Sequence, residues 1–183
     1  MNRREMQNNL AMNMVLISGS MLFATLLMGY SLFRSSSSTW PPEGIQAISM
    51  GYPMISTATI LLSSWFCSRI RGNVAVNDFR SAKMNLNTTL ILGVLFMFIQ
   101  TLLWNEMKTS GLFIGSGIFS SVVYGFTWIH AAHVISGLLV LGWLRFVLRP
   151  ATQNLGQKVL NVEKFWHFLG VIWLILFISL FVI

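Results

Sequence analysis

Five apolar runs decide what this chain can fold into. They cover approximately Leu10–Phe33, Ile45–Phe66, Leu86–Trp104, Phe119–Leu144 and Phe165–Ile183. Each reaches the roughly 17–25 residues that cross a bilayer as helix. In hydrocarbon no water is available to the backbone, and a helix satisfies its own N–H and C=O groups. Only 9% of the 183 residues are charged, against about 25% in soluble domains. The segments between the runs are too short for a water-soluble domain. The expectation is an all-α integral membrane fold, a five-transmembrane-helix bundle in which residues 1–183 form a single membrane domain.

The formal net charge of +7 would suggest nucleic acid if its sources were not so segregated. Arg3, Arg4, Arg69, Arg71, Arg80, Lys83, Arg145, Arg149, Lys158 and Lys164 fall on one side of a five-span topology, and only Arg34 and Lys108 on the other. That bias predicts a cytoplasmic N-terminus and an outside C-terminus. The cations then serve topology and anionic phospholipid headgroups, with no nucleic-acid partner. The first run is too long for a signal-peptide core and no small-x-small site follows it. Cys67 is the only cysteine, which rules out an internal disulfide, a zinc cluster or an iron–sulfur site.

Four connecting segments are expected. The first, "RSSSSTWPPEGI", joins a serine run to Pro41 and Pro42, which lack backbone donors and stop a helix; Trp40 suits the membrane–water boundary. Loops are read over Arg69–Asn85, Asn105–Ile118 and Arg145–Lys164, the last with Pro150 just after its helix ends. Small residues, which let membrane helices approach, crowd two places: Ser18, Gly19 and Ser20 on the first span, and Gly125, Ala131, Ala132, Ser136 and Gly137 on the fourth. Both read as helix–helix contact faces.

All three histidines lie in the last two spans, and titratable groups at membrane depth raise a functional question by default. Metal or haem ligation, proton relay and helix packing are the readings to weigh. His130 and His133 share one helix face with Phe126 and Gly137 at helical spacing, and that face is expected to turn toward protein. Residues three apart approach a metal from one side, so His167 would have to supply the opposite ligand. At about 1.5 Å per residue, His133 lies roughly 17 Å from the inner end of its helix, and His167 about 5 Å from the start of the next. A mismatch on the order of 10 Å disfavours one metal with bonds near 2 Å. Packing histidines are the expectation. Proton pumping by this chain alone lacks an acidic residue in mid-span, because Glu5, Glu43, Asp78, Glu106 and Glu163 are read in loops or at span ends. Intramembrane proteolysis lacks a serine–histidine partnership.

Four motifs in order resemble subunit III of the haem–copper oxidases. "WPPEGI" (Trp40–Ile45) is similar to that family's W-P-P-x-G-I loop. "FIQTLLWNE" (Phe98–Glu106) is similar to its helix ending in Gln followed by aromatic and acidic residues, here Gln100 and Glu106. "IHAAHVISG" matches F-H-G-L-H-V-I-x-G at His130, His133, Val134, Ile135 and Gly137. "FWHFLGVIWLILF" matches the closing Y-W-H-F-V-D-x-V-W-L-F-L at Trp166, His167, Phe168, Trp173 and Leu174. Order and spacing agree from Trp40 to the C-terminus.

The resemblance implies a non-redox subunit of a terminal oxidase of cytochrome c oxidase type. Haem and copper are expected in partner subunits and no cofactor in this chain, with structural phospholipids bound instead. The partners it implies are the catalytic subunit I, the other oxidase subunits and, at larger scale, a respiratory supercomplex. The five-span count resembles the shorter bacterial form, which implies the bacterial cell (inner) membrane. On this resemblance Trp40, Pro41, Pro42, Gln100, Glu106, His130, His133, Gly137, Trp166, His167 and Trp173 are structural, interface or lipid-contact residues, with no catalytic or metal residue among them. The chain departs from the family at two carboxylates. Met21 stands near the family's buried glutamate before the W-P-P loop, and Gly170 replaces the aspartate after W-H-F-V. Scaffold, lipid contact and support of subunit I are the remaining expectation; a stand-alone di-haem or quinone-binding electron carrier is the alternative.

Overall fold

The computed structural model describes residues 3–37, 50–115 and 117–182. They form five α-helices: α1 Arg3–Ser36, α2 Gly51–Ala75, α3 Phe79–Thr109, α4 Ile118–Val147 and α5 Leu155–Phe177, the last continuing into a π-helical turn, Ile178–Val182. Four of them (α1, α3, α4, and α5 with its extension) are long and apolar enough to cross a membrane. The described part of the second span is more polar. Ser56, Thr57, Thr59, Ser63, Ser64, Ser68, Arg69 and Arg71 dilute α2, and the expected start of that span, residues 45–49, lies outside the described residues.

The helices overrun the expected loops. The basic segment Arg69–Asn85 is almost entirely helical, broken only at residues 76–78, and α5 begins at Leu155, ten residues before the expected Phe165. Glu163 and Lys158 therefore lie on a helix, and so does Glu106 on α3. The error came from reading polar residues as loop, whereas polar residues at a span's end find partners on neighbouring helices.

Local chemistry sets the breaks. Asn77 adopts a left-handed backbone (φ 59°) and Asp78 caps α3 by accepting a hydrogen bond from Ser81 N at 3.0 Å. The Ser81 side chain and this backbone bond together hold the exposed Asp78 carboxyl below the usual aspartate range. Beyond α3, Gly111 takes φ +80° and Leu112 N donates back to Met107 O at 2.9 Å, the glycine-dependent way of closing a helix end. Pro53 occupies the first turn of α2, where a missing N–H costs nothing.

Cross-helix contacts fix the directions. Tyr30 Oη donates to Ser179 O and Gln157 Nε2 to Asn9 Oδ1, so α1 runs parallel to α5. Trp173 meets Thr57 while Arg71 meets Glu163, so α2 runs against α5. Arg145 Nε donates to Asn87 Oδ1 at 3.0 Å and Trp104 Nε1 to Thr127 Oγ1, so α4 runs against α3. These directions gather the helix segments bearing Arg3, Arg69, Arg71, Arg80, Lys83, Arg145, Lys158 and Lys164 at one end, the basic end, and those bearing Arg34 and Lys108 at the other. Two apolar cores follow the bundle axis. One surrounds Ile60, Leu86, Val134, Leu141 and Trp166, and the other Phe23, Leu103, Tyr124, Phe126 and Leu176.

Candidate functional site

The residues singled out on α3, α4 and α5 meet in the middle of the bundle, around two tryptophans of α5. Trp166 is 1% exposed and its Nε1 donates to Ser63 Oγ on α2 at 3.1 Å. Ser63 in turn donates to Thr89 O on α3 at 3.0 Å. An indole buried in an apolar interior needs an acceptor for its single N–H, and α2 supplies it. The ring fits because two glycines leave room. A Cβ on Gly137 of α4 would lie 3.0 Å from the Trp166 ring and 2.8 Å from Leu169, and one on Gly93 of α3 would lie 2.9 Å from the same ring and 2.7 Å from Leu138. Trp166 thus ties four helices together.

Trp173 repeats the device two turns further along. Its Nε1 donates to Thr57 Oγ1 at 3.0 Å, and Thr57 donates to Pro53 O. Its ring stands edge-on to Phe96, with centroids 5.0 Å apart, and lies tilted by 31° against the His130 imidazole at 5.5 Å. Phe96 and Phe23 approach the same imidazole at 6.0 and 6.2 Å. His130 is 1% exposed, enclosed by aromatic rings from α1, α3 and α5, and neither ring nitrogen has a hydrogen-bond partner among the described residues. Gln100 of α3, also 1% exposed, has an equally unpartnered side-chain amide.

His133 is half-buried. Its Nδ1 lies 2.7 Å from Ile129 O, so that nitrogen is the protonated one, since a carbonyl only accepts. Its ring packs edge-on to Phe23 at 5.4 Å. His167 has other neighbours: its Nε2 lies 3.8 Å from Glu163 Oε1 one turn earlier. The other carboxylate oxygen of Glu163 faces Arg71 Nε of α2 at 3.5 Å, at ion-pair distance without the alignment of a hydrogen bond. The structure turns His133 toward α1 and His167 toward the α2–α5 ion pair. Among the described residues no three His, Cys, Asp or Glu side chains converge as a metal site.

The remaining residues are placed as follows. Glu106 is half-buried near the end of α3, with its Oε2 enclosed. Trp40, Pro41 and Pro42 lie outside the described residues. Of the small residues, Gly137 is a true contact and a Cβ on Gly19 would lie 3.0 Å from Phe168, while nothing lies within 4 Å of a Cβ on Gly125. Ser18, Ser20, Ala132 and Ser136 are exposed. A Cβ on Gly170, where the family pattern has an aspartate, would lie 3.1 Å from Ser64 Oγ of α2. Sequence reasoning missed Ser63 and Thr57 as indole acceptors, Gly93 as the second seat of Trp166, and the Arg71–Glu163 pair. The run of hydroxyls at 56, 57, 59 and 63 on an apolar helix was the available signal, because such groups at depth bond across helices.

Comparison with known proteins places this arrangement. The sequence model of the family "Cytochrome c oxidase subunit III" matches residues 4–183. Cytochrome c oxidase subunit 3 of Thermostichus vulcanus is 36% identical over 174 residues, 92% of this chain and 83% of that protein. The subunit 3 of Synechocystis sp. is 26% identical, covering 92% and 72%. The subunit 3 of Struthio camelus is 29% identical, covering 96% and 70%. The chain, a multi-pass membrane protein, belongs to the cytochrome c oxidase subunit III family.

Proposed function

We propose that this chain is a non-redox scaffold of a respiratory terminal oxidase, packing beside the catalytic subunit, contacting phospholipid and supporting oxygen reduction whose haem and copper centres lie in partner chains. The observation that carries it is how the deep polar groups are used. The indoles of Trp104, Trp166 and Trp173 are held by hydroxyls of facing helices, His133 Nδ1 is bound to its own helix, and His130 is boxed by rings. The indole bonds and the rings around His130 join one helix to another, while the His133 bond orients its ring within α4.

The surface supports the assembly part of this reading. Phe23 and Tyr30 are the buried side chains of α1 among the described residues, and the rest of that helix shows methionine, leucine and isoleucine outward. A groove of about 660 Å³ runs between α1 and α4, lined by Leu26, Gly29, Phe33, Val122, Gly125 and Phe126. Acyl chains or a partner helix suit such a surface. We place the basic end in the cytoplasm, by the excess of Lys and Arg there, and the chain in a bacterial cell membrane.

Purification of the complex under mild detergent tests this. The chain should copurify with a haem-bearing catalytic subunit, and once separated it should show no visible haem absorption and no stoichiometric iron or copper. A haem spectrum in the separated chain would favour an electron carrier instead. His133→Leu should weaken association with the partner subunits, while intact mutant complex keeps reducing oxygen. Intact complex that has lost oxygen reduction would assign His133 a chemical role.

A further inference from the structure

Among the described residues, the Gln100 amide and the His130 imidazole are buried with no hydrogen-bond partner on any of their side-chain polar atoms, and they stand at the same level. On α3, Gln100 lies one turn from Phe96, whose ring meets His130, and one turn from Trp104, whose indole donates to Thr127. On α4, Thr127 is one turn from His130. The antiparallel register therefore sets the Gln100 amide opposite the turn between Thr127 and His130. Both residues are 1% exposed, and Gln100 Nε2 and Oε1 and His130 Nδ1 and Nε2 all lack hydrogen-bond partners among the described residues.

A buried amide and a buried imidazole left unbonded lose the bonds water gave them in the unfolded chain, and native interiors pair such groups with protein or ordered water. A partner subunit or lipid headgroup cannot reach the imidazole without displacing Phe23, Phe96 or Trp173, the rings that surround it. A metal is poorly served by one imidazole and one neutral amide. Water is small enough, and one molecule donates twice and accepts twice. We propose that Gln100 and His130 form an internal water-binding site at the centre of the α3–α4–α5 interface, with a water bridging the amide to an imidazole nitrogen. Neutral His130 then has one nitrogen as donor and one as acceptor, and Gln100 offers both functions, so the bridge forms with either imidazole tautomer.

The test is water-edited solid-state NMR of the full-length chain, ¹⁵N-labelled at histidine, in lipid bilayers, with the three imidazoles assigned by substitution. Magnetisation from bound water should reach a His130 ring nitrogen despite its burial. Gln100→Leu should abolish that transfer and leave the transfer to half-exposed His167 unchanged. No transfer to His130 in the unaltered chain, or a direct contact between the Gln100 amide and the His130 ring nitrogen, would overturn the site. Transfer that persists undiminished in Gln100→Leu would overturn the role of the amide. If that variant fails to insert, Gln100→Glu, which keeps an acceptor, should retain the transfer, and its loss there counts against the bridge.

Discussion

Helices α1 and α5 run parallel and are both long and apolar enough to cross a membrane, yet they do opposite things. Of the most apolar stretch of α1, 6% is buried within the chain, against 44% for α5. α5 holds Trp166 and Trp173, each with a hydroxyl partner on α2, and Gln157, Asn161 and Glu163 reach α1 and α2 near its start. α1 is attached at Phe23, at Tyr30 through Ser179, and at Asn8 and Asn9 through Asn161 and Gln157. Around and beyond Tyr30, grooves open along the distal half of α1. Hydropathy places both helices in the bilayer. What separates the hub from the strut is shape: large side chains with glycine seats and fitted acceptors on one, flexible methionine and leucine on the other.

The largest expected effect comes from emptying the hub. Trp166→Ala should lower the stability of the chain by about 3–5 kcal/mol, read by equilibrium unfolding in mixed detergent. Met21→Ala on α1, where the side chain is 67% exposed, should change it by less than about 0.5 kcal/mol. Equal losses would erase the distinction. Glycine sharpens it next. Gly137→Ala and Gly93→Ala drive a methyl into the Trp166 ring and should each cost about 1–3 kcal/mol. Gly29→Ala on α1 meets nothing within 4 Å and should be neutral, or stabilising by up to about 1 kcal/mol through helix propensity.

A smaller effect isolates the hydrogen bond from the ring. Trp173→Phe keeps most of the aromatic contact with Phe96 and removes the bond to Thr57. The bond's own contribution should be about 0.6 kcal/mol by double-mutant cycle with Thr57→Val, typical of membrane hydrogen bonds. Smallest is the cap of α3. The folded state holds Asp78 below its ordinary range, so its contribution is present above the unfolded aspartate pKa and is lost as pH falls through the lower folded value. Amide exchange in the first turn of α3 should therefore rise on acidification, and Asp78→Ala should show the raised exchange at neutral pH as well.

Much of the bundle was legible before the structure. The apolar runs announced helices because a bilayer leaves the backbone no alternative, and the Pro- and Gly-marked breaks near Pro150 and Gly111 lie where the chain leaves its helices. The ends were not legible. Asn161, Glu163 and Arg71 look like loop residues until Asn8 and the ion pair across α2–α5 appear beside them. The site was partly visible: His130, Gln100, Gly137, Trp166 and Trp173 could be chosen from motif and depth. Their acceptors on α2 could not, because an indole N–H can be met from any neighbouring helix and periodicity names no partner.

By itself the sequence determined that the chain lives in a membrane, that it is helical, where its cations segregate and which family it joins, since these follow from hydropathy, charge and motif order along one dimension. Only the tertiary structure decided which glycines are seats, which helix is the hub, and that the Gln100 amide and the His130 imidazole share one buried level. Those properties depend on the register between helices, which is set by the fit of Trp166 between Gly93 and Gly137, a close-packing condition that no single helix carries in its own sequence.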